Sequence, residues 1–87
     1  MNEGESRELY RFQKNSGEDL VFKIHRYKGT DYFDIRVWKK PVPGISDEST
    51  PTKKGVTVAM DHYEGFTEGI GKLNEAYYQG ASREKPR

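Results

Sequence analysis

Apolar and polar residues alternate along four stretches of this chain, and then the period changes. From Leu20 to Tyr27, extended geometry puts Leu20, Phe22 and Ile24 on one side and Lys23, His25 and Tyr27 on the other. From Tyr32 to Lys39 the same rule sets Phe33, Ile35 and Val37 against Tyr32, Asp34, Arg36 and Trp38. Lys28-Gly29-Thr30-Asp31 between them reads as a hairpin turn. A shorter alternation, Leu9-Tyr10-Arg11-Phe12, predicts an edge strand that ends at the turn Asn15-Ser16-Gly17. Gly55 to Met60 predicts a fourth strand with Val56, Val58 and Met60 inward. Pro41, Pro43, Gly44 and Pro51 lie among serines and threonines from Lys40 to Thr52, which predicts a long functional or mobile loop.

After Met60 the apolar residues recur at helical spacing: Phe66, Ile70, Leu73 and Tyr77 form one stripe. Asp61 is placed to cap this helix, with Glu64 three residues on completing a capping-box pair. Gly65, Gly69 and Gly71 oppose it, each costing ~1 kcal/mol relative to alanine in a helix interior. The helix therefore needs packing support from the sheet or from a partner. Gly65 and Gly69, four residues apart, offer a partner helix a close approach. The expected fold is α+β, a four-stranded antiparallel sheet followed by one C-terminal helix (ββββα), with the helix covering the apolar sheet face. The expected organisation is a tail over residues 1–8, one domain over 9–79 and a second tail over 80–87, with no internal repeat.

Composition narrows the possibilities. Of 87 residues, 32% are apolar and 33% charged, which leaves little for a core in a chain that buries only ~60% of its unfolded surface. There is no cysteine, hence no disulfide, thiolate metal site or cysteine nucleophile. Self-association is the remaining means of support, so a homodimer is expected. No stretch is apolar enough to span a bilayer as a helix and the N-terminus lacks a signal-peptide pattern. The expectation is a soluble, intracellular protein, in the cytoplasm or nucleoid of a bacterium or the nucleus of a eukaryote.

The net charge of +1 conceals a polarised distribution. Residues 20–60 carry eight basic against four acidic side chains, whereas residues 1–19 and 61–87 are each net acidic. On the outward face of the two central strands, Lys23, His25 and Tyr27 lie beside Tyr32, Arg36 and Trp38. Lys28 caps the hairpin, and Lys39 and Lys40 extend the far end. Aromatic rings among cations suit a single strand of nucleic acid: bases stack at ~1–3 kcal/mol each while lysine and arginine meet phosphates. A duplex hides its base faces, and the predicted helix, with one lysine and four acids, is no recognition helix. The competing assignment makes Trp38 and Tyr27 cover for a second small core, and Lys53-Lys54-Gly55 a solvated loop end.

Other classes fare worse. His25 and His62 fall on different elements, and His62 beside Asp61 is most simply a capping neighbour. No metal-ligand spacing, nucleophile elbow or cofactor motif is present. Gly65 to Lys72 imitates a phosphate loop but has five residues between its glycines and Leu73 where a magnesium-binding hydroxyl belongs. No catalytic residue, metal, cofactor or small-molecule substrate is expected. An RNA-recognition module needs two helices where one is predicted, although RNA remains an alternative ligand. A protein-interaction domain using the same aromatic face is the other alternative.

Tyr27-Lys28-Gly29, then Asp34-Ile35-Arg36 with Trp38, then Pro51-Thr52-Lys53-Lys54-Gly55-Val56-Thr57-Val58, stand in an order and spacing that resemble a known family. The chain from about Leu20 to Tyr77 is similar to the single-stranded DNA-binding domain of transcriptional positive cofactor four, the p-fifteen coactivator group, in its bacterial form. The resemblance implies a curved sheet, dimerisation partly through the helix, and two facing sheets that hold single-stranded or melted DNA without sequence preference. It also implies roles in transcription regulation or DNA maintenance. By the same resemblance Tyr27 and Trp38 stack on bases, and Lys28, Arg36, Lys53 and Lys54 contact phosphates; the charge of the outward face adds Lys39 to the phosphate contacts. Lys23, His25 and Lys40 stand in the second rank. Thr30-Asp31 departs from the family's basic hairpin, and the long serine- and lysine-rich extension of its eukaryotic members is absent.

Overall fold

The computed structural model describes residues 1–80. Four ten-residue strands, β1 (Ser6–Asn15), β2 (Glu18–Tyr27), β3 (Thr30–Lys39) and β4 (Thr50–Ala59), form one antiparallel sheet in the order β1-β2-β3-β4. One turn of 3-10 helix, Met60–His62, leads into the helix α1 (Tyr63–Tyr78). The expected ββββα order is present. The C-terminal tail expected from residue 80 falls, from residue 81 on, outside the described residues.

The central hairpin is regular. Its pairing runs from Glu18 opposite Lys39 to Tyr27 opposite Thr30 without a shift. Lys28 (φ 51°) and Gly29 (φ 80°) form the two-residue loop, both left-handed as a type I′ turn requires. Directly paired residues share a face, so Leu20/Val37, Phe22/Ile35 and Ile24/Phe33 lie on one side of the sheet. Asp19/Trp38, Val21/Arg36, Lys23/Asp34 and His25/Tyr32 lie on the other.

The outer strands depart from the expected bounds because both are bulged. Pairing in β1 slips between Glu8 and Tyr10, which inserts Leu9 and breaks the period of two. The strand begins at Ser6 rather than Leu9. The preceding residues, expected as a tail, are hydrogen-bonded to the hairpin: Gly4 N–H donates to Arg26 O at 3.0 Å and Arg26 N–H to Glu5 O at 3.1 Å. In β4 the partners jump from Gly55 opposite Arg36 to Pro51 opposite Trp38, so Thr52-Lys53-Lys54 bulges. The strand starts at Thr50 instead of Gly55, and Pro51 is tolerated because β4 is an edge. Gly55 itself is required: a Cβ there would stand 2.4 Å from Ile35 O and 2.7 Å from Arg36 Cα, at φ +152°.

The helix also differs from expectation. Asp61 falls inside the 3-10 turn and caps nothing; His62 is the N-cap residue, without a side-chain hydrogen bond. Nor does the helix cover the sheet. Phe33 meets Phe66 at 4.9 Å and Tyr63 at 6.1 Å between ring centres, but α1 buries no residue. Ile70, Leu73 and Tyr77 remain 48%, 67% and 54% exposed. Between sheet and helix lies an open apolar groove of about 470 Å³, lined by Phe22, Ile24, Phe33, Phe66 and Ile70 among others. Only Val21, Phe33 and Val37 are buried apolar residues among those described.

Candidate nucleic-acid interface

The face away from the helix is a grid of transverse rows. In order across β1 to β4 these are Ser6, His25, Tyr32, Ala59; then Glu8, Lys23, Asp34, Thr57; then Arg11, Val21, Arg36, Gly55; and Gln13, Asp19, Trp38, Pro51. The rows are fixed by strand register, which sets Lys23 between Glu8 and Asp34 and His25 beside Tyr32. A groove of about 280 Å³ runs across it, lined by Ser6, Lys23, His25, Asp34, Arg36, Trp38, Pro51 and Thr57.

Trp38 forms part of the groove wall. Lys23 Nζ lies 5.0 Å and Arg11 Cζ 5.8 Å from its ring centre, both within cation–π range. Its indole N–H is buried without a hydrogen-bond partner among the described residues. His25 stacks on Tyr32 at 5.2 Å with 16° between planes, a flat platform beside Lys23. At the hairpin end Tyr27 is 56% exposed, with Lys28 Nζ 5.3 Å from its ring.

Several cations of this face are already engaged. Arg36 donates from Nε and Nη2 to Asp34, from Nη1 to Thr52 O at 3.0 Å and from Nη2 to Thr57 Oγ1 at 3.0 Å. Burial pushes the Asp34 carboxyl up, but the Arg36 and Thr57 hydrogen bonds and the nearby positive charges hold it below its ordinary value. Asp19, only 6% exposed, pairs with Lys40 at 2.7 Å and Arg11 at 2.9 Å. The Lys40 hydrogen bond is the main reason its pKa is lowered. Arg11 also pairs with Glu8 at 2.9 Å, and that bond is the leading cause of its raised pKa. By contrast Lys23, Lys28, Lys39, Lys53 and Lys54 enter no ion pair among the described residues.

The structure thus brings Lys23, His25, Arg36 and Trp38 into one groove, with Lys40 tied to Asp19 at its end and Tyr27 and Lys28 at the hairpin tip. Lys39, paired with Glu18, falls by alternation on the opposite face. Lys53 and Lys54 occupy the exposed bulge of β4 outside the groove lining; the Glu18 carboxyl is lowered chiefly by the Asn15 side-chain hydrogen bond, with Lys54 a minor contributor. Arg11, Asp19 and Thr57 were not legible as site residues. Arg11 carried a signal, since it alternates against Tyr10 and Phe12. Asp19 carried none beyond preceding Leu20.

A four-stranded antiparallel sheet followed by one C-terminal helix, with cations, rings and acids interleaved on the free face, defines a class of small α+β proteins. The profile of the family Transcriptional Coactivator p15 (PC4) matches residues 14–69, and the chain belongs to that family. It is a nucleic-acid-binding, transcription-related family. The fold is similar to the crystal structure of a PC4 homolog from Burkholderia pseudomallei. The TM-score is 0.68 at 17% identity, covering 80% of this chain and 98% of that one. No curated protein matches the sequence.

Proposed function

We propose that this protein binds single-stranded DNA without sequence preference, through the helix-free sheet face and as a homodimer, in transcription regulation or DNA maintenance inside the cell. The observation that carries the reading is the groove joining Lys23, His25, Arg36 and Trp38, continued by exposed Tyr27 and Lys28. Bases stack on Tyr27 and on the His25–Tyr32 platform. Lys23 and Lys28, in no ion pair among the described residues, meet phosphates. Arg36 acts chiefly by holding the groove in shape, because its fork is occupied by Asp34, Thr52 and Thr57.

Dimerisation is supported by what one chain leaves uncovered. The stripe Ile70, Leu73 and Tyr77 and the edge residues Leu9, Tyr10 and Phe12 are exposed, and a Cβ at Gly65, Gly69 or Gly71 would meet nothing within 4 Å. A second copy seated there buries both stripes.

The test is fluorescence anisotropy with single- and double-stranded oligonucleotides at two salt concentrations. Oligothymidine should bind more tightly than duplex, with affinity falling steeply as salt rises. Tyr27→Ala should cost ~1–3 kcal/mol with little change in salt slope. Preference for duplex, or affinity indifferent to salt, would refute the reading, and the latter would favour a peptide ligand instead.

A further inference from the structure

The tip of the β2–β3 hairpin holds an anion that belongs to the chain itself. The Glu3 carboxylate accepts a hydrogen bond from the Lys28 backbone N–H and another, at 2.9 Å, from the Gly29 N–H. These consecutive amides are left outward by the turn. Lys28 is the one non-glycine residue with positive φ among those described, at 51°, followed by Gly29 at 80°. Successive N–H groups in such a turn converge on a single point and make an anion-binding concavity. The segment that carries Glu3 is anchored on either side: Gly4 N–H donates to Arg26 O at 3.0 Å, and the Asn2 N–H reaches Glu5 Oε1 at 2.8 Å.

The surroundings suit a phosphodiester. Lys28 Nζ sits 5.3 Å from the centre of the Tyr27 ring, so amide pair, ammonium and exposed stacking surface share one corner. We infer that the Lys28 and Gly29 amides form a phosphate subsite, and that Glu3 occupies it until a nucleic-acid strand displaces the carboxylate. The inference rests on the proposed single-strand reading. A lone phosphate gains little over a tethered carboxylate of equal charge. A strand also engages Lys23 and the aromatic platforms, and its many contacts release counterions, so it wins the exchange. Glu3 therefore sets a threshold that short or singly charged ligands fail to cross.

Two measurements on the full chain test this. In anisotropy titrations, Glu3→Gln should bind oligothymidine about 3- to 10-fold tighter at low salt, because the strand no longer has to displace a carboxylate from the amide pair. Glu5→Gln removes the same charge nearby and keeps an oxygen for the Asn2 N–H; it should gain much less. In amide-resolved NMR, inorganic phosphate should shift the Lys28 and Gly29 resonances in Glu3→Gln and leave them nearly still in the parent. Equal gains from both substitutions would overturn the proposal, as would Lys28 and Gly29 amides that ignore phosphate in Glu3→Gln. Amides that respond to phosphate in a protein that ignores oligothymidine would uphold the anion subsite and refute the single-strand function.

Discussion

Arg36 and Asp34, two residues apart on β3, are locked together by two hydrogen bonds, Nε to Oδ2 at 3.2 Å and Nη2 to Oδ1 at 2.9 Å. The same guanidinium reaches Thr52 O and Thr57 Oγ1, so one planar fork joins β3 to the β4 bulge and to the regular strand beyond it. Lysine keeps the charge but cannot fill that geometry. Arg36→Lys should therefore destabilise the fold by ~1–3 kcal/mol through hydrogen bonds left unmade. For a domain of this size the melting temperature falls roughly 4–8 °C per kcal/mol. A variant that melts with the parent would show that the fork contributes nothing to stability.

Asp34 makes stability depend on acid. Its folded pKa is depressed, so the associated stabilisation is present above the unfolded value of ~3.9 and is lost as pH falls through the folded pKa. Asp19 and Glu8, lowered by their own cations, act in the same direction. Melting temperature should hold level near neutrality and drop below about pH 4. Asp34→Asn should start lower at neutral pH and lose less on acidification, keeping the share due to the other carboxylates. Parallel pH profiles for parent and variant would exclude Asp34 as a contributor.

Gly55 sits where β4 presses on β3. Any side chain there meets Ile35 O and Arg36 Cα, which are main-chain atoms that cannot swing aside. Gly55→Ala should cost ~1–3 kcal/mol or more and shift the register of the adjoining bulge. Urea denaturation and exchange rates of the Arg36 and Gly55 amides would detect both. An unperturbed midpoint would mean that the strands part easily, contrary to the packing described.

The central hairpin was legible because its two strands pair without interruption, so every residue from Leu20 to Trp38 obeys the period of two. At Leu9 one inserted residue reverses the facing of the rest of β1, and at Thr52-Lys53-Lys54 two extra residues interrupt the pairing of β4 without changing its facing, so alternation misreads the bounds of both strands. For that reason the pattern shortens β1 and delays β4; the family resemblance, not the pattern, groups Lys53 and Lys54 with Arg36, and the bulge sets them outside the groove. The groove residues Lys23, His25, Arg36 and Trp38 come from the regular region, where alternation holds. Asp19 and the ion pairs that occupy Arg11, Arg36 and Lys40 depend on side-chain reach between strands, which a linear pattern does not encode. The helix carries the apolar stripe that its spacing predicts. Little of it is spent on the sheet, where Tyr63 and Phe66 meet the Phe33 ring and no helix residue is buried.

That stripe supports the sharpest prediction about assembly. Leu73 is 67% exposed in the single chain, so replacing it there with a charge removes no packing and should leave the isolated fold intact. In a dimer that buries Leu73 against its counterpart, Leu73→Asp places two like charges in an apolar seam, which costs several kcal/mol. Sedimentation equilibrium should give twice the 10.1 kDa chain mass for the parent and the single mass for the variant. The parent's melting temperature should also rise with protein concentration, as for any fold stabilised by its own association, and the variant's should not. A parent that sediments as a monomer at tens of micromolar, with a melt independent of concentration, would leave Ile70, Leu73 and Tyr77 without the partner proposed for them.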